Sequence, residues 1–264
     1  MKKLNSFLSV LSMLVFTVLI CSCWSGQAIY DPYYVPQSRQ EENLYYIPTT
    51  TNLLALSEKN EIGANILNTA SDKYSGTEIQ TSFIPDTHLG IMGSLSSARS
   101  SSLKFNSYEL GVGYLKKYKN WNFENYVGWG NGKILNTHQT GTSTININHF
   151  FIQPGFILNN SKRTVQFGIV SKFNAVHFNI DTTFNNDREA FSTQQAKSLY
   201  ENQFHLIWEP AAILRFGWKK FLFHSSYTVS NDFTNPNLHK ANSVFMIGVS
   251  LRLNLSKNEN LNQK

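Results

Sequence analysis

The 264-residue chain is 41% hydrophobic and 14% aromatic but only 15% charged, against about 25% charged in ordinary soluble domains. That balance excludes a disordered chain and an ordinary cytosolic enzyme, and the formal charge of +6 is too small for a nucleic-acid footprint. A single long apolar run, confined to the N-terminus, excludes a polytopic helical membrane protein and leaves an exported β-protein or a membrane β-barrel.

The opening stretch has the layout of a secretory signal: Lys2 and Lys3, an apolar core from Phe7 to Ile20, and the small residue Ser22 before Cys23. Ile20-Cys21-Ser22-Cys23 resembles the bacterial lipobox, which implies signal residues 1–22 and a diacylglycerol on the thiol of Cys23. A plain cleaved signal is the alternative. No cysteine follows Cys23, so the mature chain has neither a disulfide nor a Cys metal site. Trp24-Ser25-Gly26-Gln27 follows in place of acidic residues, which favours a lipid in the inner leaflet and a periplasmic N-terminus.

Residues 23–59 read as an extended periplasmic leader, polar and aromatic, with Pro32, Pro36 and Pro48 spaced through Tyr-rich sequence. From Glu61 the pattern changes to period-two alternation, the mark of strands with unlike faces. Tyr108, Leu110, Val112 and Tyr114 alternate with Glu109, Gly111 and Gly113, and Phe245, Ile247, Val249, Leu251 and Leu253 with Met246, Gly248, Ser250 and Arg252. Ten such segments are expected, at about 61–69, 76–84, 88–97, 105–116, 120–133, 143–159, 162–181, 199–216, 218–231 and 242–254. Residues 145–158 are apolar on both faces, and Pro154-Gly155 suggests a bulge.

The connections alternate in length. Short turns are expected at 84–87, 116–120, 159–162 and 217–219, and longer polar loops around 70–75, 98–104, 134–142, 182–198 and 232–241. This predicts an antiparallel up-and-down transmembrane β-barrel over 60–255, with short periplasmic turns, longer extracellular loops and a polar tail over 256–264. Several strands exceed the ~9–11 residues that a tilted membrane strand needs and should project above the bilayer. An even strand number puts both termini on the short-turn side. Tyr114, Tyr118, Trp121, Phe216 and Trp218 lie beside the short turns, where an interfacial girdle belongs. A soluble sandwich or lipocalin-like barrel would leave those aromatic faces unexplained.

Tyr46-Ile47-Pro48, Asn52-Leu53-Leu54, Ser57 to Glu61, His88 to Met92, Phe151 to Gly155, Glu209-Pro210-Ala211 and Arg215 to Lys219 resemble a family of predicted outer-membrane β-barrel lipoproteins common in Bacteroidota. The resemblance spans roughly residues 45 to 254. It implies location and fold, and since that family has no established biochemical activity it leaves function open.

In a barrel, the polar residues of each alternation face the lumen: Glu78, Gln80, Glu109, Glu124, Lys172, Glu209, Arg215, His224 and Arg252. With a turn centred between Lys117 and Tyr118, Glu124 comes opposite Gly111. Ten strands enclose a narrow lumen, so acids and arginines should meet across it as a plug of ion pairs and hydrogen bonds, or as a charged constriction in a small pore. An omptin-like protease would use Asp and His at the extracellular rim. The candidates His138, Asp181, Asp187, Asp232 and His239 show no matching spacing. His224-Ser225-Ser226 faintly resembles outer-membrane lipid A deacylases, but the alternation of Phe221, Phe223, Ser225 and Tyr227 turns His224 and Ser226 inward, and Tyr227 stands where that family has Asn.

The seven histidines show no metal spacing, and no phosphate loop or nucleotide motif occurs. Lys2 and Lys3 leave with the signal, and the remaining 21 basic against 17 acidic residues fit a protein beside anionic glycolipid. The expectation is a monomeric, non-enzymatic outer-membrane lipoprotein without cofactor or metal. Its partners are outer-membrane lipid and other outer-membrane proteins, with no nucleic acid. The alternatives are a narrow diffusion pore and a lipid-acting hydrolase.

Overall fold

A computed structural model describes residues 44–49, 51, 53, 56, 58–71, 73–138, 141–184, 202–235, 238 and 240–255, all within one compact unit, Glu41–Lys264. Its strands are β1 Glu61–Ala70, β2 Ser75–Asp86, β3 Leu89–Arg99, β4 Leu103–Lys117, β5 Trp121–His138, β6 Gly141–Asn159, β7 Val165–Phe184, β8 Phe204–Gly217, β9 Phe221–Val229, β10 Asn231–Asp232 and β11 Ser243–Asn254. Each long strand pairs antiparallel with its sequence neighbours, and β1 closes on β11 with Glu61 opposite Asn254. The two-residue β10 continues the line of β9 and pairs with β8 through Asp232 and Ile207. The result is a closed up-and-down barrel of ten staves, which leaves no sheet edge unpaired.

Two inside-outside patterns are stacked along the wall. In the lower part the outward residues are apolar and exposed, as with Phe150 at 68%, Leu95 at 61% and Leu110 at 60%, while the inward ones are polar. Near the loop end the pattern inverts. Lys104, Asn106, Asn131, Lys133, Asn148 and Asn179 face outward, and Phe105, Ile134, Ile145, Ile147, Val176 and Phe178 form a buried core inside. The lower part is thus built for hydrocarbon and the upper part for water. Tyr108 and Trp129, in edge contact at 5.4 Å, mark the boundary. Ten residues from Tyr108 down to Tyr118, at ~3.4 Å each on a tilt of about 40°, span about 26 Å, the height of an outer-membrane belt. Tyr114, Tyr118, Phe216 and Trp218 stand exposed at its lower rim.

The loop expected at 70–75 lies between β1 and β2, but two other connections are shorter than the sequence suggests. The loops expected at 98–104 and 134–142 are mostly ladder, because β3 runs to Arg99, β4 starts at Leu103, β5 runs to His138 and β6 starts at Gly141. The asymmetry between the two ends is therefore carried by the overhang of β5, β6 and β7 as much as by loop length. The expected register of β4 and β5 is also corrected. Glu124 lies opposite Leu115, and Gly111 opposite Gly128, because the turn closes at Tyr118 to Trp121, whose rings stack at 3.8 Å. The expected bulge at Pro154-Gly155 does not form. Asn125 pairs with Pro154 and Glu124 with Gly155 in unbroken register, so the missing N–H of Pro154 is accommodated without an extra residue. A register shift occurs in β2 instead, between Phe83 and Asp86. At the turn after β8, Gly217 adopts φ +148°, a conformation that L side chains rarely reach.

The largest correction concerns the end of the expected leader. Among its described residues, Leu44 to Thr49, Thr51, Leu53 and Leu56 are not an extended periplasmic segment; all are buried, inside the barrel.

Candidate functional site

The lumen is the site, and its floor plan follows from the inward faces of the strands. All nine sequence-predicted lumenal residues, Glu78, Gln80, Glu109, Glu124, Lys172, Glu209, Arg215, His224 and Arg252, are buried, with exposures from 0% to 5%. They do not form one cluster; they are divided among levels.

At mid-height, Lys172 Nζ on β7 donates to Glu109 Oε1 on β4 at 2.6 Å and to Thr49 Oγ1 at 2.9 Å. The Thr49 hydroxyl donates to the same carboxylate oxygen at 2.6 Å, and His149 Nε2 lies 2.8 Å from it. Lys172 also stands 4.8 Å from the centre of the Phe151 ring, a cation–π contact in a desolvated setting. Beside this group, Glu209 on β8 accepts from the Tyr46 hydroxyl at 2.9 Å and from Asn174 Nδ2 at 2.8 Å. Across the barrel, Gln80 links Glu78 and Asn65, at 2.8 Å each.

One level down, Arg215 Nε donates to His224 Nδ1 at 3.1 Å and its NH2 to the Leu53 carbonyl at 2.8 Å. The Ser250 hydroxyl lies 3.2 Å from His224 Nδ1. Because Arg215 can only donate, Nδ1 is the acceptor nitrogen of this imidazole. Arg252 is bonded to Gln166. Glu124 interacts electrostatically with both arginines. At the lower mouth, Arg163 on the β6–β7 turn bridges to Glu61 at 3.0 Å.

Glycines shape the inner wall where the 44–56 segment packs. A Cβ on Gly155 would lie 2.5 Å from one Leu53 methyl, and a Cβ on Gly168 would lie 2.8 Å from the other. The two glycines form a notch that holds Leu53 against Ile157, Val170, Ala211 and Ile213. Higher up, Leu44, Tyr45, Tyr46 and Ile47 complete the core at the loop end, and Tyr46 forms an isolated parallel bridge with Lys240. Burial lowers the ammonium pKa of Lys240, with the Asp232 charge opposing.

The rim candidates do not assemble. Asp232 pairs with His205, Oδ2 to Nδ1 at 2.6 Å, and His205 Nε2 is engaged with the Asn202 carbonyl at 3.0 Å. Neither ring nitrogen is left to serve as a base. Asp181 lies on β7 opposite Thr144, and His138 ends β5; Asp187 and His239 lie outside the described residues, as does Cys23. His224 and Ser226 are buried in the lumen, away from lipid. Among the described residues, no group of three or more His, Cys, Asp or Glu could hold a metal ion.

Sequence reasoning missed His149, Asn174 and the whole contribution of Tyr46, Thr49 and Leu53. His149 falls in the stretch where both faces are apolar. Tyr46, Thr49 and Leu53 lie in a segment without alternation, which carries no signal of burial.

The closed wall, the apolar outer belt and the polar packed lumen define a transmembrane β-barrel of the outer-membrane type. No protein-family model and no curated protein matches this chain. Among solved structures, it is similar to the translocator domain of the autotransporter NalP from Neisseria meningitidis, with 8% identity over 73% of this chain and 86% of that one and a TM-score of 0.41. It is also similar to the KdgM porin, with 9% identity over 72% of this chain and 98% of that one and a TM-score of 0.36.

Proposed function

We propose that this protein is a sealed, monomeric and non-enzymatic outer-membrane lipoprotein of the Bacteroidota type, acylated at Cys23, which acts as a structural or accessory membrane component and presents its loop end to other outer-membrane proteins. The observation that carries this reading is the filled lumen. The acids and bases that could have lined a pore are spent on each other and on the 44–56 segment, down to a fully buried Lys172. A path for solute would require desolvated ion pairs to separate, at a cost of several kcal/mol each. The anionic glycolipid of the membrane is the expected surrounding of the outer belt, held there by apolar contact rather than by a chemical site.

The test is conductance of the purified full-length barrel in planar bilayers. Silence supports the sealed reading, and steady single-channel steps in the unaltered protein would replace it with the diffusion pore. Release of acyl chains from glycolipid that His224→Ala abolishes would replace it with the hydrolase.

A further inference from the structure

The buried N-terminal segment runs through the barrel in one direction. Leu44 is held at the loop end, where its carbonyl accepts from Asn136 Nδ2 at 3.1 Å, and the Tyr46 carbonyl accepts from the Ala241 amide at 3.0 Å. Thr49 is bonded at mid-height to Glu109 and Lys172. Leu53 is bonded below that to Arg215, and Leu56 lower still to Asn122 Nδ2, at 3.3 Å. Asn60 then joins the lower end of β2 through the Ile84 carbonyl at 2.7 Å, and β1 begins.

The geometry leaves no room for a return. Asn136 and Asn122 are fourteen residues apart on β5, which at ~3.3 Å per residue and a tilt of about 40° is a drop of about 35 Å. The twelve steps from Leu44 to Leu56 reach about 40 Å when extended. The segment therefore makes one nearly straight pass. The rest of the lumen is occupied by buried side chains, and the wall is closed and faces hydrocarbon. A chain leaving Leu44 cannot travel back to the lower mouth inside the barrel, and crossing the belt outside it would expose unpaired backbone to lipid. The C-terminal strand ends at the opposite mouth, with Asn254 beside Glu61 and the Leu255 amide bonded to the Asn60 carbonyl at 3.1 Å.

We propose that the barrel is threaded by its own N-terminal chain, which enters at the loop end through Leu44, so that its entry opens at the cell surface, opposite the C-terminus. This replaces the expected periplasmic N-terminus, and it rests on the reading of the chain as an outer-membrane barrel with its loop end outward.

The test uses the full-length protein in intact cells and a membrane-impermeant maleimide. Two single variants are compared, Ser38→Cys ahead of the threaded segment and Lys162→Cys in the lower turn between β6 and β7. Folding of each is verified by heat-modifiable migration. Labelling of Ser38→Cys on intact cells, with Lys162→Cys labelled only after the outer membrane is permeabilised, is the expected result. If both require permeabilisation, the barrel stands with its loop end outward but the threading is wrong. If Lys162→Cys is labelled on intact cells, the orientation fails and surface display falls with it.

Discussion

Replacing Lys172 with Met tests whether the lumen is held by charge compensation. Lys172→Met keeps the length of the stem and its packing against Phe151, but removes the ammonium from Glu109 at 2.6 Å and from Thr49 at 2.9 Å. Removing one member of a buried ion pair costs about 3–5 kcal/mol, because the remaining charge stays desolvated. His149 Nε2 still contacts the Glu109 carboxylate, at 2.8 Å, so the lower end, about 3 kcal/mol, is expected. Changing Glu109 to Gln as well removes the orphaned charge. The double variant should therefore be more stable than the sum of the single losses, with a coupling of about 1–3 kcal/mol. Urea unfolding in detergent micelles, followed by tryptophan fluorescence and by the folded band on unheated gels, measures all four corners of the cycle. A Lys172→Met loss below about 1 kcal/mol, or strictly additive effects, would refute the argument that this pair closes the barrel.

Other consequences are equally direct. Gly155→Val puts carbon into the space of a Leu53 methyl 2.5 Å away, and should strip hydrogen-exchange protection from Thr51, Leu53 and Leu56 while the strand ladders keep theirs; unchanged protection there would remove the notch as an anchor. Tyr46→Phe takes a hydroxyl donor from the buried Glu209 and leaves the Asn174 amide to hold that carboxylate, and should cost about 1.5–3 kcal/mol in the same urea assay. Trp218, 66% exposed at the lower rim, should be quenched in a single-tryptophan variant most strongly by lipids labelled near the headgroup. Maximal quenching at the bilayer centre would displace the belt.

What the sequence by itself determined is whatever depends on near neighbours along the chain. Side chains of a strand alternate in direction, so the runs Tyr108 to Tyr114 and Phe245 to Leu253 disclosed two-faced strands, an outer apolar belt and an inner polar face without knowledge of any contact. Even strand number and turn spacing then led to closure. The same rule misjudged the upper parts of β4 to β7, because above the bilayer the apolar face is the inner one: Lys133 and Asn131 point to water while Ile134 points inward, and so polar sequence there resembles loop. The β4–β5 register is local as well, closed by the stacking of Tyr118 on Trp121, but such a contact leaves no mark in the alternation. Tertiary structure alone decided the place of Leu44 to Thr49, Thr51, Leu53 and Leu56. The Tyr46 and Thr49 hydroxyls and the Leu53 carbonyl are bonded to Glu109, Lys172, Glu209 and Arg215. Those groups are from 60 to 163 positions away in sequence, and no local pattern records such pairings.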